Sequence, residues 1–300
     1  MAAENTTKGQ DLYAQVTQQI IAALEAGTRP WTRPWTAIDG PAIAKPIRST
    51  GEPYRGINVL LLWSAALERG FSSNRWFTFK QARAAGTHVR KGEQGAMVVY
   101  AGRFEPKDDA ENSAEDSSRR PGAMYLHAYT VFNAEQLDSL AVDVGAPASA
   151  SEQGLSDGVQ SYFERIGVTV VHSGDRACYV PGADMVKLSP PAVFKDADAY
   201  CATLAHELIH WTGHPTRLAR EFGQRFGDSA YAFEELVAEL GAAFVCADLG
   251  IATDAREDHA AYLQSWLHVL RTDKRAIFTA ATQAQQAADY LSQRCGVACG

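Results

Sequence analysis

The chain has 300 residues, 46% hydrophobic and 21% charged, which is the make-up of a globular protein with room for two domains and not of a disordered or fibrous one. It contains no apolar run of ~18 residues, and its first residues lack a basic region followed by an apolar stretch, so a cytoplasmic protein without a membrane partner is expected. The net charge of −7 hides an asymmetry. Residues 1–104 hold 13 Lys+Arg against 7 Asp+Glu, and residues 105–300 hold 15 against 28, giving +6 and −13. A basic first third on an acidic protein suggests one anion-binding domain joined to something else.

In chain order, Leu12, Val16, Ile20 and Leu24 are four apart and predict a helix over 10–26, closed by Gly27. The Pro- and Trp-rich "TRPWTRPWTAIDGPAIAKPI" reads as an extended loop. "NVLLLWSAALER" predicts a second helix ending at Gly70, and "RWFTFKQARAAG" a short strand running into a helix. "GAMVVYAGRF" and "AMYLHAYTVFNAEQL" read as partner strands around a polar insert at 105–122 that should be a disordered hairpin insertion. The small, unpatterned residues 141–153 are the expected linker, dividing a first domain over 1–140 from a second over 154–300. The second domain opens with a helix, continues with the strands "ACYV" and "DMVKLS" joined across "PGA", and is then helical over 198–211, 231–249 and 258–293, the last with a break. The expected fold class is α+β in two domains, a small α+β unit and a mainly helical one. Five cysteines, Cys178, Cys201, Cys246, Cys295 and Cys299, include no CxxC pair, which fits reduced thiols.

The helix "TLAHELIHWTGH" carries the chemistry. His206 and His210 lie one turn apart on one face, a spacing at which two imidazoles can hold one Zn²⁺ at ~2.0–2.1 Å. Glu207 lies beside them, suited to take a proton from water and pass it to a leaving amine. The next strong helix carries Glu234, Glu235 and Glu239 among apolar residues, where carboxylates are costly unless paired or bound to metal. "EELVAELG" resembles the E-x-x-x-[D/E] element of gluzincin peptidases. That resemblance implies Glu235 as third ligand and Glu239 as an outer partner of the first histidine, with Glu234 pointing elsewhere. His214, after Gly213, is the alternative third ligand; Thr216 stands where a metzincin has its histidine. The strand pair before this helix is a candidate edge for binding a substrate backbone.

The basic third mixes aromatic rings with cations, a pattern suited to single-stranded nucleic acid, because bases stack on rings while cations follow phosphates. The candidate contacts are Trp31, Arg33, Trp35, Arg48, Tyr54, Arg55, Arg75, Trp76, Lys80, Arg90 and Lys91. Trp63, on an apolar helix, reads as core. No motif for reading duplex DNA stands out.

"YRGINVLLLWSAALERGF", "RWFTFKQARAAGTHVRKGEQGAMVVY" and "VFNAEQLD" resemble the ArdC-like N-terminal domain. "TLAHELIHWTGHPTRLAR", "YAFEELVAELGAAFVCADLGI" and "DHAAYLQSWLHVLRTDKRAIFTAA" are similar to its zincin-like metallopeptidase partner. The resemblance implies an antirestriction protein of conjugative plasmids and phages. Its first domain would bind single-stranded DNA. Its second would be a zinc-dependent peptidase-like domain with His206, His210 and Glu235 as ligands and Glu207 as catalytic acid/base. The leading expectation is a DNA-tethered peptidase whose protein substrate, unnamed by the sequence, is a DNA-bound or restriction-system protein. Two other functions use the same parts: a protease for DNA–protein crosslinks, and a non-enzymatic coat for the strand with a structural zinc.

Overall fold

A computed structural model describes residues 11–32, 44–103, 124–138, 157–222, 229–252 and 259–296. The expected insert at 105–122 and the linker at 141–153 lie outside these, as do Arg33, Trp35 and Cys299.

The first domain is α+β. Helix α1 (Leu12–Glu25) starts where the Asp11 carboxylate accepts the Ala14 amide and buries Val16, Thr17, Ile20, Ile21 and Leu24. Helix α2 (Ile57–Arg69) is buried from Val59 to Trp63. Strand β2 (Arg75–Phe77) leads through a Thr78/Gln81 capping box into the short helix α3 (Phe79–Ala84). Strands β3 (Ala96–Arg103) and β4 (Met124–Asn133) pair antiparallel from Ala96↔Val131 to Arg103↔Met124. At Gly95 a Cβ would sit 2.1 Å from Thr130 Cγ2, so no larger residue fits beside this ribbon without a shift. A two-residue strand, β1 (Ile47–Arg48), lies parallel to β2 and completes the order β1-β2-β4-β3.

The second domain opens with α4 (Asp157–Ile166) and a three-stranded sheet. The expected hairpin is β6 (Cys178–Val180) with β7 (Met185–Leu188). An unexpected strand, β5 (Thr169–His172), pairs parallel to the far side of β7 and makes β7 central and β6 an edge. Four helices follow: α5 (Ala197–Thr212), α6 (Ser229–Leu249), α7 (His259–Thr272) and α8 (Ala276–Arg294). The expected break in the last helical stretch falls at Asp273, whose side chain accepts the Arg275 amide. Helices α5 and α6 approach closely because position 241 is glycine. A Cβ there would lie 2.8 Å from Ile209 Cδ1, inside van der Waals contact.

The two domains share one hydrophobic core. Trp63 of α2 meets Phe244 of α6 at 5.9 Å between ring centroids, and Trp31 meets Trp266 of α7 at 6.1 Å. Polar ties cross the same boundary: the Gly56 amide donates to Gln285 Oε1 at 3.1 Å, Thr17 Oγ1 donates to the Lys274 carbonyl at 2.7 Å, and Lys45 pairs with Asp248 at 2.7 Å. Among the described residues no helix is long and apolar enough to cross a membrane.

Candidate metal centre and nucleic-acid surface

Helices α5 and α6 cross so that three acidic residues of α6 face two histidines of α5. His206 Nε2 and His210 Nε2 stand 3.2 Å apart. Glu235 reaches both, with Oε2 3.5 Å from His206 Nε2 and Oε1 3.5 Å from His210 Nε2. These three buried residues form the group of candidate metal ligands found among the described residues. His214 is half-buried and bonded to Thr216, and it is not part of that group.

Behind each histidine stands a carboxylate. Glu239 Oε1 lies 3.4 Å from His206 Nδ1, and Glu234 Oε1 lies 3.1 Å from His210 Nδ1. The expectation that Glu234 points elsewhere is corrected: it backs the second histidine as Glu239 backs the first. Adjacent residues on a helix diverge by about 100°, but two histidines one turn apart span enough of α6 for both acids to find a ring. Glu234 is itself held by Arg220, through Nη2–Oε1 at 2.9 Å and Nε–Oε2 at 3.0 Å, in a pair whose side chains are each 4% exposed. Arg220 also donates to the Ile209 carbonyl and to Thr212 Oγ1.

This donor set suits a divalent cation. With Nδ1 of each ring facing a carboxylate, at 3.4 Å for His206 and 3.1 Å for His210, a neutral ring that carries its proton there presents a bare lone pair at Nε2. Two such lone pairs facing each other repel unless a cation lies between them. Two nitrogens held at ~2.0–2.1 Å by one tetrahedral ion stand about 3.3 Å apart, close to the observed separation. Burial raises the Glu235 carboxyl, but its bond with His206, the charge of the two rings when they are protonated and the Tyr231 hydroxyl outweigh it and hold it at about 2. It is therefore an anion at neutral pH.

Glu207 is buried 28 positions along the chain from the edge strand it touches: its Oε2 accepts the Tyr179 amide of β6 at 2.7 Å. One carboxylate oxygen is thus fixed, on the side of β6 away from β7. A cavity of about 270 Å³ opens there, lined by His206, Glu207, His210, Glu235, Tyr231 and Tyr179 among others. Arg217 pins this edge strand. Its guanidinium lies 4.0 Å over the Trp211 ring, donates to the Trp211 carbonyl at 2.6 Å, to Tyr179 Oη at 3.2 Å and to Asp184 Oδ2 at 3.0 Å. That bond holds the Asp184 carboxyl at about 2.

The nucleic-acid candidates divide. Trp31 and Trp76 are each 1% exposed and Tyr54 is buried, a correction to their reading as open faces. Rings packed on both sides leave no surface for a base, and the apolar loop rings were drawn into the shared core. Arg48, Arg55 and Arg90 are exposed but already paired with Glu52, Asp289 and Glu93. Arg75, Lys80 and Lys91 have no ion pair among the described residues, and Lys80 and Lys91 are exposed. Two exposed rings of the β3–β4 ribbon were missed. Tyr100 of β3 is 60% exposed and Tyr129 of β4 is 51% exposed. Tyr100 pairs across the ribbon with His127, two residues from Tyr129, so the three share one face. The signal was in the alternation of "HAY" along β4, which period-2 reading puts on a single side.

The fold and the centre define a zincin-like metallopeptidase domain packed on a small α+β domain. The zincin-like metallopeptidase family model matches residues 157–283, and that of the N-terminal domain of anti-restriction factor ArdC matches residues 10–132. The chain is 43% identical to the crystallised antirestriction ArdC protein from plasmid R388 in its metal-free form, covering 96% of this chain and 98% of that one at a TM-score of 0.80. The Mn(II)-bound structure of that protein gives 42% identity, 95% and 98% coverage, and a TM-score of 0.77. An uncharacterized protein, y4eC of Sinorhizobium fredii (strain NBRC 101917 / NGR234), is 41% identical over 94% of this chain and 91% of its own length. A DNA primase TraC of Escherichia coli is 35% identical over 96% of this chain, which spans only 20% of that protein. The chain belongs to the ArdC antirestriction family.

Proposed function

We propose that this protein binds single-stranded DNA through its first domain and protects incoming plasmid or phage DNA from restriction through a zinc-dependent peptidase centre in its second. The observation that carries the peptidase reading is the placement of Glu207. It is fixed by one oxygen to the edge strand and lines the same cavity as the His206–His210–Glu235 donor set.

His206, His210 and Glu235 would hold the ion, which supplies Lewis acidity and acidifies water when bound. Zinc suits a set of two imidazoles and one carboxylate. The outer edge of β6 aligns a substrate backbone by strand addition. Glu207 removes a proton from the attacking water and delivers it to the amine as the peptide bond breaks. Arg217 keeps β6 against α5 so that the aligned bond and Glu207 share one cavity. In the first domain, Arg75, Lys80 and Lys91 serve as phosphate contacts and Tyr100, Tyr129 and His127 as a stacking face. The likeness to a segment of proteins named DNA primases supports a single-strand partner. Tethering to the strand raises the effective concentration of a protein substrate bound on or near it.

The test is plasmid transfer into restricting and non-restricting recipients with Glu207→Ala, after checking that the variant retains metal and oligonucleotide affinity. Protection lost only in the restricting recipient supports the peptidase reading. Protection retained assigns the shielding to the first domain.

A further inference from the structure

The loop after α5 doubles back onto the end of that helix. The Leu218 amide donates to the Thr212 carbonyl at 3.0 Å, the Ala219 amide to the His214 carbonyl at 3.1 Å and the Arg220 amide to the Gly213 carbonyl at 3.0 Å. A Cβ at Gly213 would stand 3.0 Å from Arg220 Nη2 and 2.7 Å from Phe222 Cζ. Ala219 holds φ at 48°, in the left-handed region that a residue with a Cβ enters only at a cost. Such strain persists where the surroundings impose it. Here it turns the chain into Arg220, whose guanidinium bridges the end of α5 to α6. On α6 it clasps Glu234, through Nη2–Oε1 at 2.9 Å and Nε–Oε2 at 3.0 Å, with both side chains 4% exposed. Glu234 Oε1 in turn lies 3.1 Å from His210 Nδ1. A buried ion pair is a poor device for stability, because apolar residues of similar volume commonly do as well or better. The Ile209 carbonyl that Arg220 also meets does not need it, since Thr212 Oγ1 donates there at 2.6 Å. The pair therefore calls for another reason, and the imidazole it stands against supplies one.

We propose that Arg220 is a positioning residue for the second histidine: with Glu234 it fixes the His210 ring so that Nε2 faces a cation shared with His206 and Glu235. The inference rests on the reading of those three residues as cation ligands and is independent of the peptidase step. A glutamate side chain turns about several bonds, but one clasped at both oxygens by a planar guanidinium has a single position. That position sets an acceptor behind Nδ1, which keeps the proton of a neutral ring there and leaves a lone pair at Nε2. Without the acceptor, the neutral ring places its proton on Nε2, where Glu235 Oε1 stands 3.5 Å away. That nitrogen then binds a cation only after losing the proton. The loop from Gly213 to Arg220 thus belongs to the cation site although none of its residues touches the cation.

The experiment compares the wild-type chain with two variants. The double variant Arg220→Met with Glu234→Leu replaces the pair by apolar side chains, and Arg220→Lys keeps the charge but not the two-pronged clasp. Zn²⁺ affinity is read by competition with a chromophoric chelator, beside the melting temperature of each metal-free protein. The double variant should melt at or above the wild-type temperature when metal-free, and should bind Zn²⁺ about 10–100-fold more weakly. Arg220→Lys should bind it about three- to tenfold more weakly, because one ammonium does not hold both oxygens in place. A pair that served the fold alone would give the reverse, a lowered melting temperature with wild-type Zn²⁺ affinity, and that result overturns the inference. If the double variant does not fold, Arg220→Lys decides: weakened binding sustains the inference and wild-type affinity overturns it. A wild-type chain that binds no Zn²⁺ overturns the cation reading together with the inference, whereas equal affinity in the wild type and the double variant overturns the inference alone.

Discussion

The candidate metal centre and the basic first domain make opposite use of their polar residues. At the centre, His206, His210, Glu234, Glu235 and Glu239 are all buried, and each carboxylate has an imidazole within 3.5 Å. In the first domain the candidate cations lie toward the surface, three of them, Arg48, Arg55 and Arg90, paired with acids, and the tryptophans Trp31, Trp63 and Trp76 are the buried part. Burial makes a polar residue's partner obligatory, so a single function can be read from the centre's residue types. A surface cation has no such obligation, and a tryptophan serves a core as well as a base.

This contrast can be broken most sharply at Glu207. Glu207→Gln should lower any zinc-dependent cleavage of a test protein by about 10²–10⁴-fold, the usual worth of a general acid–base group. Metal content should be unchanged, since Glu207 is not among the three candidate ligands; an assay of rate and bound zinc on one preparation checks both. Next in size is the buried pair behind His210. Arg220→Ala leaves Glu234 charged inside the protein without its guanidinium, and urea unfolding should show a loss of about 3–5 kcal/mol. Stripping metal with a chelator should lower the melting temperature by about 5–10 °C relative to protein in a hundredfold excess of zinc over its Kd.

Smaller effects belong to the surface. Neutralising Lys80 or Lys91 should reduce the slope of log affinity for oligo-dT against log salt by about 0.7 for each phosphate that no longer meets a cation. Neutralising Arg48, which already pairs with Glu52, should change it less. Slopes of equal size at these positions would show that the cations without an ion pair among the described residues are not singled out. The smallest effect is at Asp184. Its folded carboxyl lies below the ordinary 3.8, at about 2, because Arg217 bonds it. Its contribution to stability is therefore complete above the ordinary value and is lost as pH falls through the folded one. Asp184→Asn should flatten the fall in stability between those two values, read from melting temperatures across that range.

The elements legible in the sequence were those with long periodic patterns. The apolar stripe of α1, the helix of Val59 to Trp63 and the paired strands β3 and β4 needed only spacing. Strands β1 and β5 were not legible. The first has two residues and the second four, and both are parallel partners of strands distant in the chain, so no local signal announces them. The HExxH spacing located His206, Glu207 and His210, and the resemblance to gluzincins pointed to Glu235 and Glu239. It did not separate the role of Glu234 from a bystander's, because that depends on how α6 is rotated against α5, which the close approach of Gly241 to Ile209 fixes.

By itself, then, the sequence determined which chemistry the chain can carry: two imidazoles and a carboxylate set on helices, a basic first third, and aromatic rings in number. Tertiary structure alone decided which rings face solvent, which acid stands behind which histidine, and that the two domains share a core through Trp31, Trp63, Phe244 and Trp266. The reason is that spacing fixes what lies on one face of an element, whereas burial and pairing depend on a second element brought from far along the chain, and only packing chooses it.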